Sequence, residues 1–193
     1  FDLTVNKKLL TQDETKTRLI RGDHIEPFTL LQPAESEKEG YADGELFQAS
    51  IVGSAKLEHM NKWRIAMPQC TYIQKKKRLE SCLVPPQHIV SNSCNYFVVD
   101  DIVNGHPSDE AKLYLLFLNS AVVEWRFRIF NSNNHVANYE LDELPIVSPS
   151  NIPYEIRAKL IALSERYALE KKATYRNEMD AFVGLLYGLS VEQ

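Results

Sequence analysis

Cysteine is scarce and poorly spaced for a staple. Only Cys70, Cys82 and Cys94 occur in 193 residues, each separated from the next by eleven residues. That spacing matches neither zinc-finger nor redox patterns, and an odd number cannot pair off. The three are expected to be buried thiols in a reducing compartment. Glycine is sparse too, at seven, and none of it forms a phosphate or dinucleotide loop or a nucleophile elbow. The five histidines, His24, His59, His88, His106 and His135, are scattered, with no paired spacing for zinc. No stretch approaches the roughly 18 uninterrupted apolar residues of a membrane span, and no signal-peptide pattern opens the sequence. A cytoplasmic protein held by its hydrophobic core is expected, with no disulfides and no membrane partner. The sequence opens on Phe, which suggests an excised portion of something longer.

What is present begins with length: 193 residues suit one domain, or a domain with a small helical appendage. Net charge is -4, but it is segregated. Residues 35–45 hold five acids against one Lys, whereas residues 56–78 hold seven Lys or Arg against Glu58 alone, a balance of +6. A basic run on a mildly acidic domain suits phosphate contact over a limited footprint. A solvated charged loop is the competing reading.

The pattern along the chain is mixed. "RLIRGDHIEPFTLL" reads as a short strand, a Gly-Asp turn and a second extended piece, and the acidic segment as a loop leading to a helix near residues 45–60. "KWRIAMPQC", "RLESCLVP" and "HIVSNSCNYFVVD" are rich in β-formers and read as sheet. "DEAKLYLLFLNSAVVEWRFRIF" is apolar nearly all round and reads as a buried helix, whose Asn119 and Ser120 must be paired inside the fold. After residue 150, Ser150 or Asn151 is placed to cap a helix with Pro153 in its first turn, carrying Ile156, Leu160, Leu163 and Tyr167 as one stripe. A last helix near residues 175–187 ends before Gly188. The expected architecture is α+β: a mixed sheet with a buried central helix and a C-terminal helical pair, divided as 1–149 and 150–193.

Three surfaces carry candidate chemistry. Asn131, Asn133, Asn134, His135 and Asn138 fall within eight residues, directly after Arg126 and Arg128. An Asn amide offers a donor beside an acceptor, which matches the major-groove edge of adenine, as Arg matches guanine. Asn-rich stretches are equally good turn formers, bonded to their own backbone. The second surface is "QCTYIQKKKRLES", where Gln69 and Gln74 flank Thr71 and Tyr72, with Lys75, Lys76, Lys77 and Arg78 following as phosphate clamps. The third is "IRGDH", in which Arg21 either reaches phosphate or guanine or pairs with Asp23 across the turn. A weak nuclease-like set also exists, Asp100 or Asp101 with Glu110 and Lys112, although Glu110 fits more simply in the first turn of a helix.

"LIRGDHI", "LFLNS", "NYELDELPIV" and "EMDAFVGLLYGLS", in that order, resemble the recognition half of type II restriction-modification adenine methyltransferases, the TaqI-like C-terminal specificity domain. The ordered block "KKKRLESC", "SNSCNY", "LNS", "WRF", "NSNNHVANYE" and "LP" is similar to the branch associated with type IIS systems. The resemblance implies a target-recognition domain that binds double-stranded DNA and follows an N-terminal methyltransferase domain in the same polypeptide, with a restriction endonuclease as a further partner. The chain departs from the intact enzymes in lacking a glycine-containing S-adenosylmethionine loop and an Asn-Pro-Pro-aromatic tetrapeptide. Its sole Pro-Pro, Pro85-Pro86, is preceded by Val84 and followed by Gln87. The cofactor and the catalysis therefore belong to the absent domain, and this chain alone is not expected to be an enzyme. DNA contact is expected from Arg21, Gln74, Lys75, Lys76, Lys77, Arg78, Arg128, Asn131, Asn133, Asn134 and His135. The alternatives are half of a type I specificity subunit, a stand-alone metal-dependent nuclease and an adaptor without DNA affinity.

Overall fold

The computed structural model describes residues 1–34 and 39–190. The acidic segment read as a loop therefore lies partly outside the described residues, at 35–38. The fold is α+β.

The N-terminal part contributes β1 (Leu10–Thr11), β2 (Thr17–Ile20), β3 (Ile25–Glu26), β4 (Thr29–Leu30) and β5 (Tyr41–Ala42), then α1 (Gly44–Ser50) and α2 (Ala55–Met60). One helix was expected over residues 45–60. Two form, because Gly53 sits at φ +80° and breaks the run. Asp43 caps α1 by accepting from the Leu46 amide at 3.0 Å. Gly44 is required there, since a Cβ would lie 2.0 Å from Thr17 Oγ1.

The three extended segments follow as β6 (Trp63–Pro68), β7 (Cys82–Val84), β8 (Ile89–Val90) and β9 (Cys94–Val99), with a short hairpin of β10 (Ile102–Val103) and β11 (His106–Pro107). Strand β6 is central in an antiparallel sheet, β7-β6-β9, with Trp63 opposite Val99 and Pro68 opposite Cys94. A second, mixed sheet has the order β1-β5-β2-β8, with β2 and β8 parallel. Alternation along β6 divides the interior. Ile65 and Met67 join the larger core with the helices, while Ala66 joins Ile20, Val84 and Val90 on the opposite face.

The long apolar run is two helices, α3 (Asp109–Leu118) and α4 (Ala121–Phe130), rather than one. Ser108 and Ser120 cap them, accepting from the Ala111 and Val123 amides. Ser120 lies in the extended region, and its preference for a cap over a helix interior ends α3. Asn119 is paired, as its burial demands. It accepts from Ser81 N at 3.0 Å and donates to Ser81 O at 2.9 Å, which fastens the helical break to the residue before β7.

A short α5 (Asn138–Asp142) precedes the long helices α6 (Tyr154–Glu170) and α7 (Ala173–Leu186). Helix α6 starts at Tyr154 after Pro153, with no side-chain cap, so neither Ser150 nor Asn151 caps it; those residues form a separate short 3-10 turn. Gly188 does mark the end of α7, at φ +76°. Leu160, Ile161, Leu163, Met179 and Val183 belong to the same core as Ile65, Leu113 and Phe117. The helical pair is thus part of the core, and its buried stripe is not left for a partner. Cys82 and Cys94 are buried free thiols pushed up to about 12 by that burial, but Cys70 is exposed, against expectation. Among the described residues no helix is long and apolar enough to cross a membrane.

The Asn119 pairing makes a testable demand. Asn119→Ala leaves the buried Ser81 amide without its acceptor, while the Ser81 carbonyl keeps the Phe28 amide, and is expected to cost about 1–3 kcal/mol of stability, read from urea unfolding. A change under about 0.5 kcal/mol would remove the junction from the structural framework.

Candidate nucleic-acid interface

Two of the three surfaces, separated by about 60 residues of sequence, are joined in the fold. Residues 69–81 connect β6 to β7, and residues 131–137 connect α4 to α5. They run antiparallel: the Thr71 amide donates to Asn134 O and the Val136 amide to Gln69 O, both at 2.8 Å, with Cys70 opposite His135. The Asn95 amide donates to Val136 O at 2.5 Å and anchors this ledge to the start of β9.

A buried polar network holds the ledge from beneath. The Arg78 side chain is 1% exposed. Its guanidinium donates to Thr71 Oγ1 at 3.2 Å, Asn131 Oδ1 at 2.5 Å and Asn133 O at 2.6 Å, and lies 5.1 Å over the Phe127 ring. Glu124, also buried, accepts from the Arg78 and Leu79 amides at 3.0 and 2.7 Å and from Arg128 Nε at 2.5 Å. Arg128 in turn donates to Ile73 O at 3.2 Å and to Lys75 O. Asn131 donates to His135 O at 2.7 Å and to both Glu140 oxygens, and Glu140 reaches back to the Ala137 amide at 2.9 Å. Each of the three guanidinium nitrogens of Arg78 thus donates to an acceptor supplied by one of the two loops. Removing one member of such a buried charged set costs about 3–5 kcal/mol, because its partners are left unpaired in low dielectric.

This network corrects the expected contact list. Arg78 and Asn131 hold the ledge from inside, so their hydrogen-bonding groups do not point to a groove, whereas Arg128 is partly exposed and braces the ledge at its edge through Glu124, Ile73 O and Lys75 O. Lys77 is only 7% exposed, and its Nζ is buried without a hydrogen-bond partner. Burial, helped by the Arg176 charge, pushes it down to about 8, so it is no phosphate clamp. Arg21 faces Asp23 at 3.7 Å and Glu39 at 3.8 Å, the pairing that competed with phosphate contact. Asn133 Oδ1 accepts from the His135 amide at 2.7 Å and Asn134 Oδ1 from the Ile73 amide at 3.0 Å. Both side chains are turn and strut elements, each with an exposed amide group left to donate outward.

The outward surface of the ledge is Tyr72, Gln74, Lys75, Lys76, Asn133, Asn134 and His135, all exposed, with Tyr72 at 75%. Lys75 is shared with Glu80 in an ion pair. A cleft of about 480 Å³ has Gly22, Lys75, Lys171 and Arg176 among its walls, so the "IRGDH" turn and the basic loop border the same space. Sequence reasoning missed Lys171 and Arg176, and it also missed the outer face of α4. That helix was read as deeply buried, yet Trp125 is 64% exposed and Ile129 and Phe130 are exposed beside it, with Arg126 stacked 3.6 Å over Phe130. The interruption of hydrophobicity by Arg126 and Arg128 was the available signal.

The nuclease-like set does not assemble. Asp100, Asp101 and Glu110 line one cavity, but no group of three His, Cys, Asp or Glu among the described residues could hold a metal ion. Lys112 is engaged by Glu165 at 2.9 Å and Asp109 at 3.7 Å. No protein-family model matches this chain, and no curated protein matches it.

Lys77 yields a pH prediction. An unfolded lysine titrates near 10.4, whereas in the folded chain Lys77 is lowered to about 8. Below about 8 both states are charged and the folded state bears the full penalty of about 3 kcal/mol; between 8 and 10.4 the unfolded state alone holds the proton, so stability rises with pH. Lys77→Met is expected to be the more stable protein at pH 7, with the gain shrinking as pH approaches 10. Urea melts across that range check it, and a pH-independent difference would contradict the buried-charge account.

Proposed function

We propose that this chain is the target-recognition part of a restriction-modification N6-adenine methyltransferase, a non-catalytic module that binds double-stranded DNA. The chemistry, flipping of an adenine and transfer of a methyl group from S-adenosylmethionine, belongs to a catalytic domain outside this chain. Such an enzyme works in the cytoplasm, where a restriction endonuclease is its functional counterpart. The ordered motifs of the sequence support this reading. The single observation that carries it is the ledge: two polar loops from distant parts of the chain, joined by main-chain hydrogen bonds and held rigidly by the Arg78 and Glu124 network. Base reading requires side chains held in a fixed register, and a loop supported by a buried network meets that requirement.

The roles divide by exposure. Lys75 and Lys76 are placed to meet phosphate, which gives affinity and orientation without sequence information. Gln74 and His135, with the outward amide groups of Asn133 and Asn134, are placed to meet base edges. Tyr72 adds an exposed ring to the same surface. The packing of α6 and α7 into the core favours this reading over a type I specificity subunit, whose helices serve as a spacer against a partner.

The test is selection of bound duplexes from a randomised DNA pool, followed by titration of the enriched site at several salt concentrations. Replacing Lys75 and Lys76 with Gln is expected to weaken all duplexes alike and reduce the slope of log K against log salt by roughly 2. Gln74→Ala is expected to cost roughly 1–3 kcal/mol at one base pair and leave non-cognate binding nearly unchanged. Failure to enrich any sequence, with a salt slope indifferent to the lysine pair, would overturn the proposal.

A further inference from the structure

The opposite end of the central sheet carries a different surface. The ledge lies where Pro68 faces Cys94; at the Trp63 and Val99 end, about 17 Å away along β6, an apolar cavity of about 450 Å³ opens between β9 and α3. Its walls include Ile65, Phe97, Ala111 and Leu118, and Tyr114 stands partly exposed among them. Asp100, Asp101 and Glu110 share the lining, and Asp109 and Glu165 lie nearby around Lys112. The cations facing this group are Lys62, paired with Asp100 at 2.9 Å and Glu58 at 2.8 Å, and Lys112. Acid is in excess, so the surface repels phosphate and is unsuited to nucleic acid.

Apolar surface continues past the cavity. The hairpin of β10 and β11 starts directly after Asp101 and exposes Ile102 and Val103. It is fixed in place: Trp63 Nε1 donates to Gly105 O at 3.0 Å, and the Ser108 amide donates to Asp101 O at 3.0 Å. The cavity alone is of a size that takes a small molecule, but the fixed apolar lip and the acidic border extend beyond it and have the makings of a protein contact site, with an anchoring pocket and a charged rim.

We propose that this end of the domain docks a partner polypeptide through an aromatic or branched apolar side chain that enters the cavity, flanked by Lys or Arg that meet Asp100 and Glu110. The proposal does not rest on DNA recognition: the carboxylates and the hairpin lie away from the ledge, although the inner wall of the cavity reaches Leu141 of α5. Charge complementarity chooses the occupant. Lys62 is shared between Asp100 and Glu58, so a neutral apolar segment leaves the remaining acid of Asp101 and Glu110 facing a surface that adds no cation, and an acidic segment is repelled.

The experiment is selection from a peptide library displayed on phage against the full chain, with the enriched peptides then synthesised and titrated. Enriched sequences are expected to carry an aromatic or branched residue within two positions of Lys or Arg. Asp100→Asn combined with Glu110→Gln should weaken them at least tenfold, and Ala111→Leu, which fills the cavity, should abolish binding. Both variants should bind duplex DNA as the parent does. Should Ala111→Leu fail to fold, the carboxylate pair decides alone, because those residues are at the surface. No enrichment, enrichment of peptides without basic residues, or binding indifferent to the carboxylate pair would each overturn the proposal. So would self-association of the chain that the same pair of substitutions abolishes, which would make a second copy the occupant.

Discussion

The guanidinium of Arg78 and the carboxylate of Glu124 are the constraint on which the ledge depends. Each is buried, and each is satisfied chiefly by the backbone or side chains of the two loops and of α4. A guanidinium out of water is tolerable only when its donors are met, and its planar fork requires partners at fixed angles. Those partners are Thr71, Asn131 and Asn133, so one side chain sets the relation between a β connection and a helix terminus. The two loops then have little freedom to move separately. Rigidity here comes from polar chemistry beneath the surface, while the groups above it remain solvated and available.

This separation of supporting from presenting groups explains a composition that otherwise reads as a single basic, Asn-rich surface. Within "KKKR", Lys75 and Lys76 are outside and Lys77 and Arg78 inside. Within the Asn block, Asn131 is a buried strut, Asn133 uses its oxygen to fix its own turn, and Asn134 uses its oxygen to brace the facing loop at Ile73. The molecule is also polarised along its central sheet. The exposed lysines lie at one end of β6 and the acidic, apolar-lined cavity at the other, so the two ends cannot attract the same kind of partner.

Much of the fold was legible because period and caps are local properties. Runs rich in β-formers marked β6, β7 and β9, and the stripe at Ile156, Leu160 and Leu163 marked α6. The division at Asn119 and Ser120 was visible as an anomaly, but its meaning required Ser81, a partner 38 residues away. The same limit applied to the ledge. That polar residues gathered near 69–81 and 131–137 was plain from sequence; that the two segments are adjacent was not, since main-chain pairing between distant loops leaves no mark in composition. Burial of Arg78 was hidden for the same reason. Nothing local distinguishes it from Lys76, and the carboxylate beside it, Glu124, sits in a run that reads as apolar nearly all round. Helix α4 exposes Trp125 and Phe130, since no described element packs over that side.

We propose that the two loops engage DNA as one unit. Amide hydrogen exchange of the chain, with and without a duplex enriched from a random pool, addresses it directly. Binding should slow exchange in residues 70–76 and 132–136 together, with little change at the β10 and β11 hairpin. Protection confined to one loop, or found instead around Asp100 and Glu110, would contradict it.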